Sequence, residues 1–530
     1  MLGGAIAASP HHVFAQDSLL TKDFQYVKQS DPWLTSPNAA GLNRLNIDHL
    51  SDAEVGTKYE TGGFVNYYEA AKSNNIEAKV ESFYRLSDRI VMYGRMGYDY
   101  FSGKNMTGSA FINHTHMPFD IVEATTDNKG RKHKDTYTLT GAVSGNIYKN
   151  IAIGAKVDYT AANYAKYKDL RHKNKLMDLA LTAGVYIPLG KHIQAGANYI
   201  YHRTTESILF SIYGNADLRY KSLVDYGAFL GTTELFGEMG YTDKNNEMPL
   251  FNRLNGGSMQ IGWDITSTLS LYSNFTYTSR DGYYGKKSSY TISYNQFDGD
   301  GFRYDGRLSL SQGTKKHALD IFVSVDGLTD YSNTYREVED QQTSARYYEY
   351  YTPVKLSKKT WVEGGLAYTG YYGIADQSAK WTVNGGVNFM KRNQKIYQYP
   401  YYRKQDLSST EFFARGERNI CIGKGVLTPT LGFSYKKGSG DICKDGLQAT
   451  PSDKQTAPAE MTAFLHREYQ YLTAPQYSVD AAVKYAFIFP NTRMKTYAKA
   501  GFHYLGTSEK DEYLEGRSHT TLSFAVGCTF

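Results

Sequence analysis

The chain has little of what marks most other protein classes. Cysteine occurs three times in 530 residues, at Cys421, Cys443 and Cys528. So odd and sparse a set cannot form a disulfide framework, and the thiols are expected to be free. No stretch approaches the ~18 apolar residues of a spanning helix, and mean hydropathy is −0.51, so a helical membrane protein is excluded. Charge of one sign is also missing. The 59 Lys+Arg and 53 Asp+Glu leave a net +6, with no basic stripe for a nucleic-acid groove. There is no Gly-x-Ser-x-Gly elbow and no phosphate-cradling Gly-rich loop ending in Lys-Ser/Thr. His114-Thr115-His116 comes nearest to a metal pair, and it reads as an ordinary polar loop. No catalytic residue, cofactor or metal site is expected, and the chain is not read as an enzyme.

Aromatics, by contrast, are abundant. There are 48 Tyr and 25 Phe, and aromatics reach 15%, which excludes a mostly disordered chain. Period-2 alternation recurs throughout. One face of residues 76–86 carries Ile76, Ala78, Val80, Ser82, Tyr84 and Leu86, and the other carries Glu77, Lys79, Glu81, Phe83 and Arg85. After a turn at Ser87-Asp88, Ile90, Met92, Gly94, Met96, Tyr98 and Tyr100 oppose Arg95 and Asp99. Residues 151–159 and 177–187 repeat the pattern, with Lys156, Asp158 and Asp178 on the polar side.

Strands of soluble sandwiches run about five or six residues. These run about nine to thirteen, the length of a tilted strand crossing hydrocarbon. In a bilayer every backbone N–H and C=O needs a partner, so such strands must close without a free edge. The expected fold is all-β: a single closed antiparallel transmembrane β-barrel of about 16–20 strands with short periplasmic turns and long extracellular loops. Short links are predicted near 87–89, 148–150, 188–191, 265–268, 312–316, 357–360, 390–394, 423–425 and 489–493. Long ones are predicted near 101–134, 161–175, 203–255, 279–300, 326–345, 436–476 and 505–518, with further strands at 345–356 and 395–403.

Strands that follow a short turn should rise to the outer interface, where amphipathic tyrosine is favoured. Tyr98, Tyr100, Tyr159, Tyr199, Tyr201, Tyr277, Tyr435 and Tyr504 sit late in such strands, on the apolar parity. Trp263, Phe389 and Phe487 are expected at the inner girdle, near the ends of descending strands. The last segment puts Leu522, Phe524, Val526, Cys528 and the terminal Phe530 on one face.

That ending resembles the β-signal read by the barrel-assembly machinery. Over its whole length the chain resembles the large outer-membrane β-barrels typical of Bacteroidota. Ser36-Pro37-Asn38-Ala39-Ala40-Gly41-Leu42 is also similar to the Asn-Pro-Ala-Gly-Leu element of fatty-acid-transporter-like barrels, with Ala39 replacing its Pro. In that family the element belongs to a segment folded into the barrel mouth from below. Its other reading is an Asn/Gly turn before the first strand.

Three regions are expected. Residues 1–15 are a signal-peptide remnant, with Val13-Phe14-Ala15 before a cleavage site. Residues 16–52 are a periplasmic N-terminal segment, and 53–530 form the barrel. A folded plug of ~100 residues, as in energised receptors, has no room ahead of the first strand. Inward parity falls on Glu77, Lys79, Glu81, Arg85, Arg95, Asp99, Lys156, Asp158, Asp178, Arg303, Asp305, Arg307, Asp320, Asp480, Lys484, Lys495 and Lys499. Such a lumen is either a water-filled, porin-like channel with opposed charges or a mutually paired polar filling. Either argues against a greasy tunnel, because burying charge beside an apolar ligand is costly.

The location implied is the outer membrane of a Gram-negative bacterium, in contact with outer-membrane lipid and lipopolysaccharide and with no nucleic acid. The function expected is a channel or transport protein for small polar solutes. The alternative is a non-conducting accessory subunit of an uptake, secretion or assembly complex. In 203–255, Phe210, Tyr213, Tyr220, Tyr226, Phe229 and Phe236 form either a self-packed cap or a constriction or partner surface. Residues 436–476 read as a mobile external loop.

Overall fold

The computed structural model describes residues 22–123, 128–214, 220–237, 242, 247–288, 291–488 and 494–530. The expected signal remnant, the turn at 489–493 and parts of 203–255 lie outside them. Eighteen antiparallel strands close into a barrel, each paired with its chain neighbours. Closure joins the first strand, His49–Gly62, to the last, Ser518–Thr529, from Asp52 opposite Thr529 to Gly62 opposite His519. None of the described helices is long and apolar enough to cross a membrane.

Alternation dictates which way each side chain faces. Ile76, Val80, Met96, Ile153, Val157, Leu181 and Val526 stand exposed on the outside. Phe83, on the opposite parity, is buried inside against Phe24. The outer tyrosines share one height. Tyr98, Tyr159, Tyr201 and Tyr277 are each the ninth residue of a strand rising from a tight turn. At ~3.3 Å per residue and a tilt of ~40°, eight steps rise about 20 Å. Trp263 and Phe487 lie one residue from the lower ends of their strands. An apolar band a little under ~20 Å tall, somewhat less than the ~25 Å of typical outer-membrane barrels, is thus bounded by aromatics.

Several sequence expectations fail, for one shared reason. The strands are far longer than the bilayer requires: Thr291–Gln312 has 22 residues and Gly425–Leu447 has 23. Most of 161–175 and 279–300, predicted as loops, is therefore paired strand. In 326–345 the strand runs on to Ser332, and Tyr335–Glu339 then pairs with Arg346–Tyr350 in a separate hairpin. The barrel strands predicted at 345–356 and 395–403 do not exist as such. The short links predicted at 357–360 and 390–394 lie inside Val354–Tyr372 and Trp381–Gln398. Their clustered charges read as turns, but Lys359 and Arg392 turn into the lumen. This shift reverses one direction, so Phe389 is the ninth residue of a rising strand, at the height of the outer tyrosines rather than at the inner girdle. Residues 436–476 are strand to Leu447 and carry the helix Thr462–Thr473, so this segment is structured.

Val157→Arg, on the outer face at mid-strand, is expected to cost about 2–4 kcal/mol of folding in phospholipid vesicles, with little change for Asp158→Asn on the lumen side. Urea titration of the reconstituted barrel measures both.

Candidate functional site

Two inserts enter the barrel, one at each end. The lower insert is the N-terminal segment, which begins with the helix Phe24–Ser30, capped by the Asp23 carboxylate accepting from the Tyr26 N–H at 2.8 Å. Two short 3-10 turns follow, Pro32–Thr35 and Ala39–Arg44. Asn38 caps the second and anchors the insert to the wall. Its Oδ1 accepts from Ala40 N at 3.1 Å, while its Nδ2 donates to Val185 O at 2.8 Å and Gln260 Oε1 at 3.0 Å. Gln260 in turn donates to Asn198 and Asn274, so a buried amide network links several strands. Trp33 packs edge-on between Tyr186 and Tyr272. The wall leaves room by lacking a side chain: a Cβ on Gly154 would stand 2.2 Å from Ala40 N. Lys28 pairs with Glu81 at 2.6 Å, Arg307 donates to Gln29 O at 2.6 Å, and Lys316 donates to Ser30 O.

The upper insert is built from two external loops. Their strands form a four-stranded sheet in the order Gly231–Leu235, Lys221–Asp225, Asp120–Glu123, Gly108–Ser109. Phe111, Phe119, Ile121, Phe210, Phe229 and Phe236 pack into its core. The apolar part of 203–255 is therefore spent inside the mouth as a cap, while Tyr213 stays exposed. The cap spans the lumen from wall to wall. On one side the Glu206 carboxylate accepts from Ile112 N at 2.7 Å, and Lys132 donates to Ser109 O at 2.8 Å. On the other, Lys359 donates to Met117 O and Pro118 O at 3.1 and 2.8 Å, and Arg280 donates to His116 O at 2.6 Å. The helix Thr462–Thr473 is held by Arg392, which donates through both terminal nitrogens to Glu468 at 2.9 Å each.

The pair His114/His116 is not an ordinary solvated loop. His114 is half-buried beneath Tyr68, and its partial burial lowers its pKa to about 4. His116 stacks on Trp361 at 4.5 Å between Asp326 and Glu363. Burial opposes its charge, but the two carboxylates outweigh burial and raise its pKa to about 9. Burial raises Asp120, which accepts from Ser109 Oγ and Tyr67 OH, to about 7. Sequence reasoning missed Arg280, Lys359, Arg392 and Glu468 as closure residues, whereas Asn38 lies in the 36–42 element it singled out. The available signal was a charge on inward parity inside a strand, as at Lys359 and Arg392.

The predicted lumen residues pair mostly along the wall. Glu77 meets Lys58, Lys79 meets Glu54, Lys156 meets Asp158, Arg303 meets Asp305 and Arg307 meets Asp320. Asp178 contacts His202 and Asp480 contacts His503. Arg85 donates to Leu45 O. Arg95 lines a 230 Å³ cavity beside the lower insert, and Asp99 lies opposite Glu77. Space remains around the inserts. A lower chamber of about 650 Å³ is lined by Lys79, Arg307, Asp320, Lys484 and Lys499. Upper chambers of about 420 and 280 Å³ flank the cap.

A profile of the family described as a family of unknown function, DUF6850, matches residues 39–530. No curated protein matches the chain. Among solved structures, the ferric preacinetobactin receptor BauA of Acinetobacter baumannii is similar, with 8% identity, a TM-score of 0.41, and coverage of 91% of this chain and 80% of that one. The outer membrane transporter YddB of Escherichia coli shows 8% identity, a TM-score of 0.41, and coverage of 92% and 81%. The alcaligin receptor FauA of Bordetella pertussis shows 7% identity, a TM-score of 0.39, and coverage of 91% and 76%. Likeness at this level bears on neither ligand nor activity.

The raised pKa of His116 gives the upper closure a pH dependence of known sign. Its contribution is complete below about 6.5, the unfolded value, and is lost as pH rises through about 9. Hydrogen exchange at residues 111–119 should accelerate between pH 7 and pH 10 in the native protein. In His116→Gln the pH-dependent part should disappear once intrinsic exchange is corrected for.

Proposed function

The chain belongs to this family of unknown function, and we propose that it is an outer-membrane transport barrel of a Gram-negative cell that passes small polar solutes through a lumen closed at rest by its two inserts. The observation that carries this reading is the charged inner wall enclosing open chambers above and below, in place of a filled core. The apolar outer band with its aromatic borders supports placement in a bilayer, and the terminal Phe530 with its alternating strand supports insertion by the barrel-assembly machinery. Outer-membrane lipid and lipopolysaccharide are the surroundings this surface suits. A fatty-acid cargo fits poorly, because the chamber walls are ionic. The entry of the N-terminal insert from below supports the likeness of residues 36–42 to the element of fatty-acid-transporter-like barrels.

The closures are held to the wall largely by side-chain clamps: Lys28 below, and Arg392, Lys359, Arg280 and His116 above. A side-chain clamp can release without breaking the barrel's own backbone ladder. Partly exposed ion pairs contribute roughly 0–1 kcal/mol each, and bidentate ones somewhat more. The second reading, a non-conducting accessory subunit, draws on the same two closures, which obstruct both ends.

Swelling of proteoliposomes in arabinose separates the two. Removing about 1.4 kcal/mol of closure energy raises an open population about tenfold. Arg392→Ala and Glu468→Ala should therefore swell roughly ten times faster than the native protein. Swelling at the rate of empty liposomes in all three would discard the transport reading and leave the accessory role.

A further inference from the structure

The lower chamber is lined by five carboxylates and five cations, and three of the cations form no ion pair among the described residues. Its carboxylates are each engaged by a donor. Asp320 accepts from Nε and Nη2 of Arg307, at 2.5 and 3.1 Å. Glu54 takes Lys79 at 2.9 Å and the Tyr497 hydroxyl at 3.0 Å. Asp52 accepts from Thr529 Oγ1 at 2.9 Å, Asp23 caps its helix, and Glu417 accepts from Thr430 at 3.5 Å. Arg307 and Lys79 are consumed in those pairs. Arg415, Lys484 and Lys499 form no ion pair among the described residues, although the charge of Lys499 acts on Glu54 at longer range.

Their arrangement is costly in its own right. Lys484 and Lys499 are direct cross-strand partners on Gln476–Ile488 and Lys495–Thr507. Like charges directly opposite each other destabilise a sheet. The wall could have relieved this with one acidic residue, as it does at Glu54–Lys79 and Glu77–Lys58. Instead Lys484 lies over the Tyr497 ring, 5.6 Å from its centroid, while that ring's hydroxyl is committed to the acids. The chamber's acids are thus engaged, while open cationic donors face a 650 Å³ space.

Taking the transport reading as its basis, we infer that this wall is the seat for an oxyanion, the phosphate or carboxylate of a small polar solute, held by Lys484, Lys499 and Arg415. A space of this size takes a body as large as a sugar beside the anion. The neighbouring Thr382, Thr428 and Thr430 offer hydroxyls to such a body.

Calorimetric titration of the intact, detergent-solubilised protein tests this, with sodium phosphate and sodium acetate as probes at matched ionic strength. Saturable binding of either supports the seat, and the stronger probe identifies the oxyanion. Lys484→Gln and Lys499→Gln should each weaken binding by about tenfold or more. Lys484→Glu supplies a folding control, because it creates a cross-strand pair with Lys499. It should bind neither probe, yet melt at or above the native temperature. Absence of saturable binding in the native protein, or unchanged affinity in a folded Lys484→Glu, overturns the assignment. The transport reading is judged separately: a barrel that binds phosphate but swells no liposomes keeps the seat and loses the channel.

Discussion

Everything in this molecule follows from the need to pair every backbone amide inside a layer that offers no water. One way to meet it is to bring the last strand back to the first, and Ser518–Thr529 lies along His49–Gly62 from Asp52 to Gly62. Once the ring is shut, alternation is no longer a matter of preference. Residues of one parity meet hydrocarbon and those of the other meet a confined interior. Val526 and Val55 face outward as a pair, while Asp52 and Glu54, on the same strand, turn to the chamber.

Confinement makes the interior charges serve two ends. Strung along the wall, pairs such as Arg307–Asp320 keep ionic groups compatible with a small wet space. Where an insert comes close, the same residue types become fasteners. Lys28 reaches from the N-terminal helix to Glu81, and Lys359 reaches from the wall to the carbonyls of Met117 and Pro118. The inserts differ in how they are seated. The upper one brings its own apolar core and sheet, whereas the lower one depends on buried amides around Asn38 and on a wall pared back at Gly154.

The barrel was legible in the sequence because a two-residue period survives any error in strand ends. Ile153 and Val157, or Met92 and Met96, point outward whatever the exact limits of their strands. Lengths were not legible, since an extended hairpin standing clear of the membrane has no fixed span. Asp281 and Asp298 read as loop, yet they face each other within a ladder. Dense charge read as a turn at Lys358-Lys359 and Lys391-Arg392, although inward-facing lysine and arginine are what a lumen clamp needs. The upper closure was only half visible. The apolar residues of 203–255 pointed to a packed cap, but nothing local showed that 107–123 shares its sheet.

The uneven strand lengths have a consequence for the molecule's silhouette. Flanking the seam, strands such as Gln476–Ile488 and Lys495–Thr507 have 13 residues each, while Thr291–Gln312 on the far flank has 22. At ~3.3 Å per residue and a tilt of ~40°, nine extra residues lift that flank by about 23 Å. Gly425–Leu447, with 23 residues, pairs directly with Gln476–Ile488, so the outer rim steps down abruptly into a notch at the seam. Whatever approaches from the cell exterior meets a tall palisade broken by a low sill at the seam.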